Sequence, residues 1–171
     1  DGVAPVLTLL GGTKALYFRD FRINGLGQGT GEAFKIGSPE GNVNDMDFSN
    51  IYIKGFERGL FSIDGEEVWG CNFQGIRIDE TDYAYEFLGN TTGYTTINFT
   101  ECYATISKIG FNLQVFEVLT MTDCGSDAAT DTPFNFNYCR GAVINGIYIE
   151  NCVLSGSTPN LVKTFNCEAF A

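Results

Sequence analysis

At 171 residues, with a formal net charge of −11 and an isoelectric point near 4.2, the chain suits one acidic domain. That balance excludes nucleic acid and anionic membrane as partners, since neither a phosphate backbone nor an acidic headgroup attracts it. Gly 21, 14% aromatic, 44% hydrophobic and Pro 4 describe a folded, turn-rich all-β chain, and the absence of His and of any CxxC spacing leaves no zinc site.

Residues 1–14, apolar from Val6 to Leu10 and closed by Gly11-Gly12, read as the tail of a preceding coil. A six-residue pattern then begins at Leu16-Tyr17-Phe18-Arg19-Asp20-Phe21 and returns at Met46–Ile51, Cys71–Ile76, Ile97–Cys102, Leu119–Cys124 and Ile147–Cys152. Its third residue (Phe18, Phe48, Phe73, Phe99, Met121, Ile149) falls 22 to 30 residues after the previous one, a period that signals a repeat architecture. The first, third and sixth residues are apolar and the fifth is Asp, Asn, Gly or Glu, as two strands meeting at a left-handed bend require. Between copies lies a third alternating run: Phe34-Lys35-Ile36, Phe61-Ser62-Ile63, Tyr85-Glu86-Phe87, Phe111-Asn112-Leu113 and Phe134-Asn135-Phe136. The expected fold is therefore all-β, a right-handed parallel β-helix with three short strands per coil and six to seven coils. Coils about 4.8 Å apart give a rod roughly 30 Å long.

Stacking assigns the cysteines. Phe21, Ile51, Ile76, Cys102, Cys124 and Cys152 form one inward column, Cys71 falls in another slot, and such thiols serve as small buried hydrophobes. Cys139 and Cys167 are the one pair left for a disulfide. The Gly25–Gly31 stretch lacks the Lys-Ser/Thr of a phosphate loop and reads as a connection between coils. Two N-x-[ST] triplets start at Asn90 and Asn98, the second in mid-strand. The chain opens at Asp1, so residues 1–171 are expected to be a single β-helix domain cut from something longer.

The coil pattern, as in Phe34-Lys35-Ile36 followed by Asn44-Asp45-Met46-Asp47-Phe48-Ser49-Asn50-Ile51-Tyr52-Ile53-Lys54-Gly55, resembles the pectate-lyase-like β-helix of bacteriophage tailspikes and capsule depolymerases. The likeness covers residues 15 to about 165. It implies a homotrimer on the virion tail, outside the cell, that binds and often cleaves a bacterial capsular or lipopolysaccharide glycan. Without His, the Gly-His-Gly and Arg-Ile-Lys signatures of polygalacturonases are absent, and no cofactor or metal is expected.

Glycoside hydrolysis then falls to two carboxyl groups, one protonated and one ionised. Acidic residues concentrate in the third coil, with Asp64, Glu66 and Glu67 in one turn and Asp79, Glu80 and Asp82 in the other. Glu86 is the one carboxylate in the outward column Lys35, Ser62, Glu86, Asn112, Asn135. The expected acid and base are Glu86 with Asp64 or Glu67, and Asp82 is the further candidate. On that reading Glu86→Gln abolishes cleavage and leaves the melting temperature nearly unchanged. Trp69, Tyr83, Lys35, Asn112 and Asn135 are the sugar-binding candidates. A β-elimination lyase is the rival chemistry, with Tyr83, Lys35 and Arg58 available to it. The plain alternative is that these are solvated turn carboxylates. A second outward column, Arg22, Tyr52, Arg77 and Tyr103, alternates cation and ring, which suits rod stabilisation, sugar docking or subunit packing. Three classes stay open: a polysaccharide-degrading tailspike, a non-catalytic glycan-binding adhesin, and a structural trimer shaft.

Overall fold

The structure, a computed structural model, describes residues 4–37, 41–63, 67–89, 94–153, 155 and 160–167. Its described residues form strands and no helix, every strand pairing is parallel, and the coils stack into a β-solenoid of about six turns. The longest strands, Asp47–Ser62, Arg77–Leu88 and Tyr103–Gln114, each run round at least one corner of a coil and pair in parallel register with the next.

The repeat works through its third and fifth residues. The third residues stack ring on ring, with centroids 5.5 Å apart for Phe18–Phe48, 4.8 Å for Phe48–Phe73 and 4.9 Å for Phe73–Phe99. From the third run, Tyr85, Phe111 and Phe134 make a second stack at 4.3 and 4.9 Å. Each buried ring contributes about 1.5–3 kcal/mol by leaving water, and the parallel geometry adds to that. At the fifth position Asp20, Asn50, Gly75, Glu101 and Asp123 all have φ between 51° and 59°. This left-handed turn separates the two strands.

The sixth copy lies five residues earlier than the pattern suggests. Leu119 pairs with Ala142 and Met121 with Ile144, Gly146 takes the bend at φ 71°, and Ile147 follows it. The inward column is therefore Phe21, Ile51, Ile76, Cys102, Cys124, Ile147, because Tyr103, Gly125 and Tyr148 share the next register position. Cys152 instead follows the second corner of the coil. That corner, at Gly55, Glu80, Ile106, Ala128 and Asn151, is also left-handed, with φ between 49° and 79°. The two corners share one apolar-polar-bend grammar, so a strand before either reads alike.

The third run shifts by one residue in its second copy. Lys35 pairs with Phe61 and Phe61 with Glu86, which puts Phe61, not Ser62, in the outward column. The corner sets this: Leu60, Tyr85 and Phe111 each follow Gly55, Glu80 and Ile106 by five residues. A further ladder of two-residue strands, Val43–Asn44, Val68–Trp69 and Tyr94–Thr95, joins the three expected per coil.

All six cysteines are free thiols. Cys102 and Cys124 donate to Phe73 O (3.3 Å) and Phe99 O (3.5 Å), carbonyls of residues in register, so the two sulfurs stack. Cys139 and Cys167 repeat that relation, donating to Leu113 O (3.6 Å) and Phe136 O (3.7 Å), and stay unbonded. Burial pushes the Cys71 and Cys139 thiols up to about 12, so both remain protonated lining.

Candidate functional site

Two outer faces carry the candidate residues. The first holds the third-run column. Glu86 is 3% exposed and both its oxygens are engaged: Arg58 Nε donates to Oε2 at 2.6 Å and Asn112 Nδ2 to Oε1 at 3.2 Å. Asn135 Nδ2 continues the ladder to Asn112 Oδ1 at 2.8 Å. Arg58 also reaches Glu32 Oε1 at 2.8 Å and Glu57 Oε1 at 3.4 Å, and lies 5.7 Å from the centre of the Tyr83 ring. Glu86 is thus the anchor of a buried charge ladder and presents no open edge to a groove.

Asp82 is covered as well. Lys108 Nζ lies 2.6 Å from its Oδ2. The Gly25–Gly31 connection folds toward the same strand, where Gln28 Nε2 donates to Thr81 O at 3.0 Å. A side chain on Gly29 would start 3.6 Å from the Asp82 carboxylate. Asp64 and Glu66 lie outside the described residues, as does Asn90, and Glu67 is half-buried at the start of the Val68–Trp69 strand. Trp69 is 40% exposed but belongs to the small three-stranded sheet, apart from the strand of Glu86 and Tyr83. Lys35 stands in the Glu86 column one coil beyond Phe61. The structure therefore unites Glu86, Asn112, Asn135, Arg58 and Tyr83, and leaves Trp69 elsewhere. Asn98 is occupied too, its Nδ2 donating to Asn72 Oδ1 at 2.8 Å.

The second face carries the alternating column, whose register is Arg22, Tyr52, Arg77, Tyr103, Gly125, Tyr148. Its first half is internally satisfied. Arg22 sits 4.2 Å over the Tyr52 ring, whose hydroxyl donates to Asp79 Oδ2 at 2.9 Å. Burial and that bond raise the Tyr52 hydroxyl above its ordinary value.

The second half is open. Gly125 interrupts the column with no side chain, and the Tyr103 ring leans across it: a Cβ built there would fall 2.7 Å from Tyr103 Cδ1 and 2.9 Å from Cε1. Tyr103 is 38% exposed and Tyr148, two rungs further, 54%. Two adjoining clefts flank this aromatic pair. One, of about 300 Å³, is walled by Arg77, Tyr103, Gly125, Asp127, Tyr148 and Glu150. The other, of about 490 Å³, shares Arg77 and both tyrosines and adds Glu101 and Asp123. Burial raises the Tyr103 hydroxyl above its ordinary value, and the neighbouring Tyr148 and Asp123 add to that. Asp127 and Glu150 are register partners on adjacent coils, and Asn151 Nδ2 donates to Asp127 Oδ1 at 3.0 Å.

Sequence reasoning found Arg77 and Tyr103 but missed Gly125, Tyr148, Asp127 and Glu150. The signal was present in the spacing: with Gly146 taken as the bend, Tyr148 follows it by two residues, as Tyr103 follows Glu101. Comparison with family models, with curated proteins and with solved structures returns no match for this chain.

Proposed function

We propose that the chain is a glycan-binding β-solenoid of the phage tailspike kind, which holds bacterial surface polysaccharide on the face bearing Tyr103 and Tyr148. The observation that carries this reading is the exposed tyrosine pair, set over a glycine between two clefts and lined with carboxylates, a guanidinium and backbone polar groups. A pyranose ring has an apolar face for a tyrosine ring and a hydroxyl edge for those polar groups, which is the mixed chemistry that small-molecule sites supply. The stacked coils repeat that edge every 4.8 Å or so along the rod, which suits a polymer better than a single small ligand.

Cleavage, in this reading, draws on the half-buried Asp127 and the exposed Glu150 beside the tyrosines, and not on the paired Glu86. Adjacent coils put the two backbones about 5 Å apart, and side-chain torsions then have to set the carboxyl groups at the roughly 5–5.5 Å that a retaining glycosidase needs. Assembly as a homotrimer on the virion tail belongs to the same proposal.

The test is calorimetric titration of the chain with purified capsular and lipopolysaccharide glycans, run alongside a reducing-sugar assay. Binding that weakens roughly tenfold on Tyr148→Ala supports the reading, and sugar release that is lost on Glu150→Gln adds the hydrolase. If no surface glycan binds, the reading fails. A structural-shaft role is favoured by one separate observation: Val143, Val153, Leu161 and Phe165, all in the last coils, are 51–75% exposed. Light scattering that shows a stable trimer without any glycan affinity would select it.

A further inference from the structure

The charge around the two clefts is lopsided. Glu101, Asp123, Asp127 and Glu150 line them against Arg77 alone, four formal negative charges to one positive, a net of −3. Among the described residues no ion pair engages any of these four carboxylates, in contrast with Glu86, Asp82 and Glu80, which each hold a cation at 2.6–2.8 Å. Among the described residues no three acidic or thiol groups converge as a metal site would require. The carboxylates are instead spread along both sides of the Tyr103–Tyr148 pair, so that a ligand lying on the rings meets negative charge at both edges.

Such a surround selects by sign. Two exposed tyrosine faces attract a cation through their quadrupoles, and flanking carboxylates add attraction within one Debye length. A uronate would meet the opposite field and depend on Arg77 alone. Resting on the glycan-binding reading above, we infer that the sugar held on Tyr103 and Tyr148 is an amino sugar carrying a free ammonium group. The hexosamine ring lies on the tyrosines, and its ammonium faces Asp127 and Glu150 on one side or Asp123 and Glu101 on the other.

The test titrates the full chain with three tetramers of matched length, glucosamine, N-acetylglucosamine and galacturonate, at pH 5.5 and at low and raised salt. The expected result is that the glucosamine tetramer binds at least tenfold more tightly than its N-acetylated counterpart and loses most of that advantage in raised salt. Galacturonate should not bind. The paired substitution Asp127→Asn with Glu150→Gln should bring the first two within about threefold, and Tyr148→Ala should weaken both. Melting curves confirm that each variant is folded. If N-acetylglucosamine binds as well as glucosamine and Tyr148→Ala removes both, the ammonium inference is overturned while the glycan face stands. Tight galacturonate binding overturns it too. If none of the three binds but a surface polysaccharide does, the inference again falls alone, and if nothing binds the glycan reading falls with it.

Discussion

The Glu86 ladder and the Tyr103–Tyr148 face are made by the same device, equivalent positions stacked coil on coil, yet they end in opposite states. In the ladder each polar group meets a partner of matching chemistry one rung away: guanidinium on carboxylate, amide on carboxylate, amide on amide. In the column the partners run out at Gly125, and the tyrosines beyond Tyr52 keep faces turned to solvent. Stacking creates order in both places. Function belongs where the stack leaves chemistry unspent.

The sharpest way to break this contrast is to attack the ladder. Arg58→Ala leaves a carboxylate that is 3% exposed without its counter-charge. Stripping one partner from a buried pair costs about 3–5 kcal/mol, and the surviving Asn112 bond puts the effect at the lower end. Glu86→Gln keeps the shape but exchanges a charge-assisted bond for a neutral one and should cost about 1–2 kcal/mol. Urea unfolding reads both. The expectation from sequence was an unchanged melting temperature for Glu86→Gln, and finding that result would mean the ladder contributes nothing.

On the open face the same experiment should give the reverse. Tyr148→Ala removes an exposed ring, so its stability should stay within about 0.5 kcal/mol of the parent. Glycan affinity should fall roughly tenfold, about 1.4 kcal/mol, as truncation of an aromatic anchor does. Comparable losses in both quantities would mean that Tyr148 packs the rod instead of serving a ligand. Asn135→Ala is the milder counterpart in the ladder, where losing the amide bond to Asn112 should cost about 1 kcal/mol by urea unfolding and leave glycan titration untouched.

Much of this was legible in the chain, and the misses share a cause. Phe18, Phe48, Phe73 and Phe99 announce the period because each is flanked by polar residues and followed by a bend-former. Ile147–Cys152 misled because Ile149-Glu150-Asn151 at the second corner has the same grammar as Phe48-Ser49-Asn50 at the first. That slip removed Tyr148 from its column and left Cys152 in the wrong one. The run Leu60-Phe61-Ser62 offers two apolar residues to one inward slot, and only the count from the corner decides between them. Burial of Glu86 was beyond alternation, which tells the direction of a side chain but not what lies across it. Glycine in a column is silent for a similar reason: it breaks the pattern of types although it keeps the register.

Gly125 therefore makes the finest test, since its substitution separates the two faces with a single carbon. Its φ is not in the left-handed range, so alanine is allowed on the backbone, and the atoms nearest its added Cβ belong to a surface ring that can swing aside. The gain from a stiffer unfolded chain, about 0.4–1 kcal/mol, roughly offsets the displaced ring contact, leaving stability within about 0.5 kcal/mol. Gly110 is the contrasting control: its Cβ would fall 2.5 Å from Pro133 O and 2.6 Å from Ser126 Oγ, atoms of the rod itself that have nowhere to go. Gly110→Ala should lower the melting temperature clearly while Gly125→Ala barely moves it. Yet Gly125→Ala should weaken glycan binding about as much as Tyr103→Ala does, because the ring no longer lies across the coil. Unaltered affinity in Gly125→Ala would mean that the posture of Tyr103 is incidental, and the open end of the column would then owe nothing to the missing side chain.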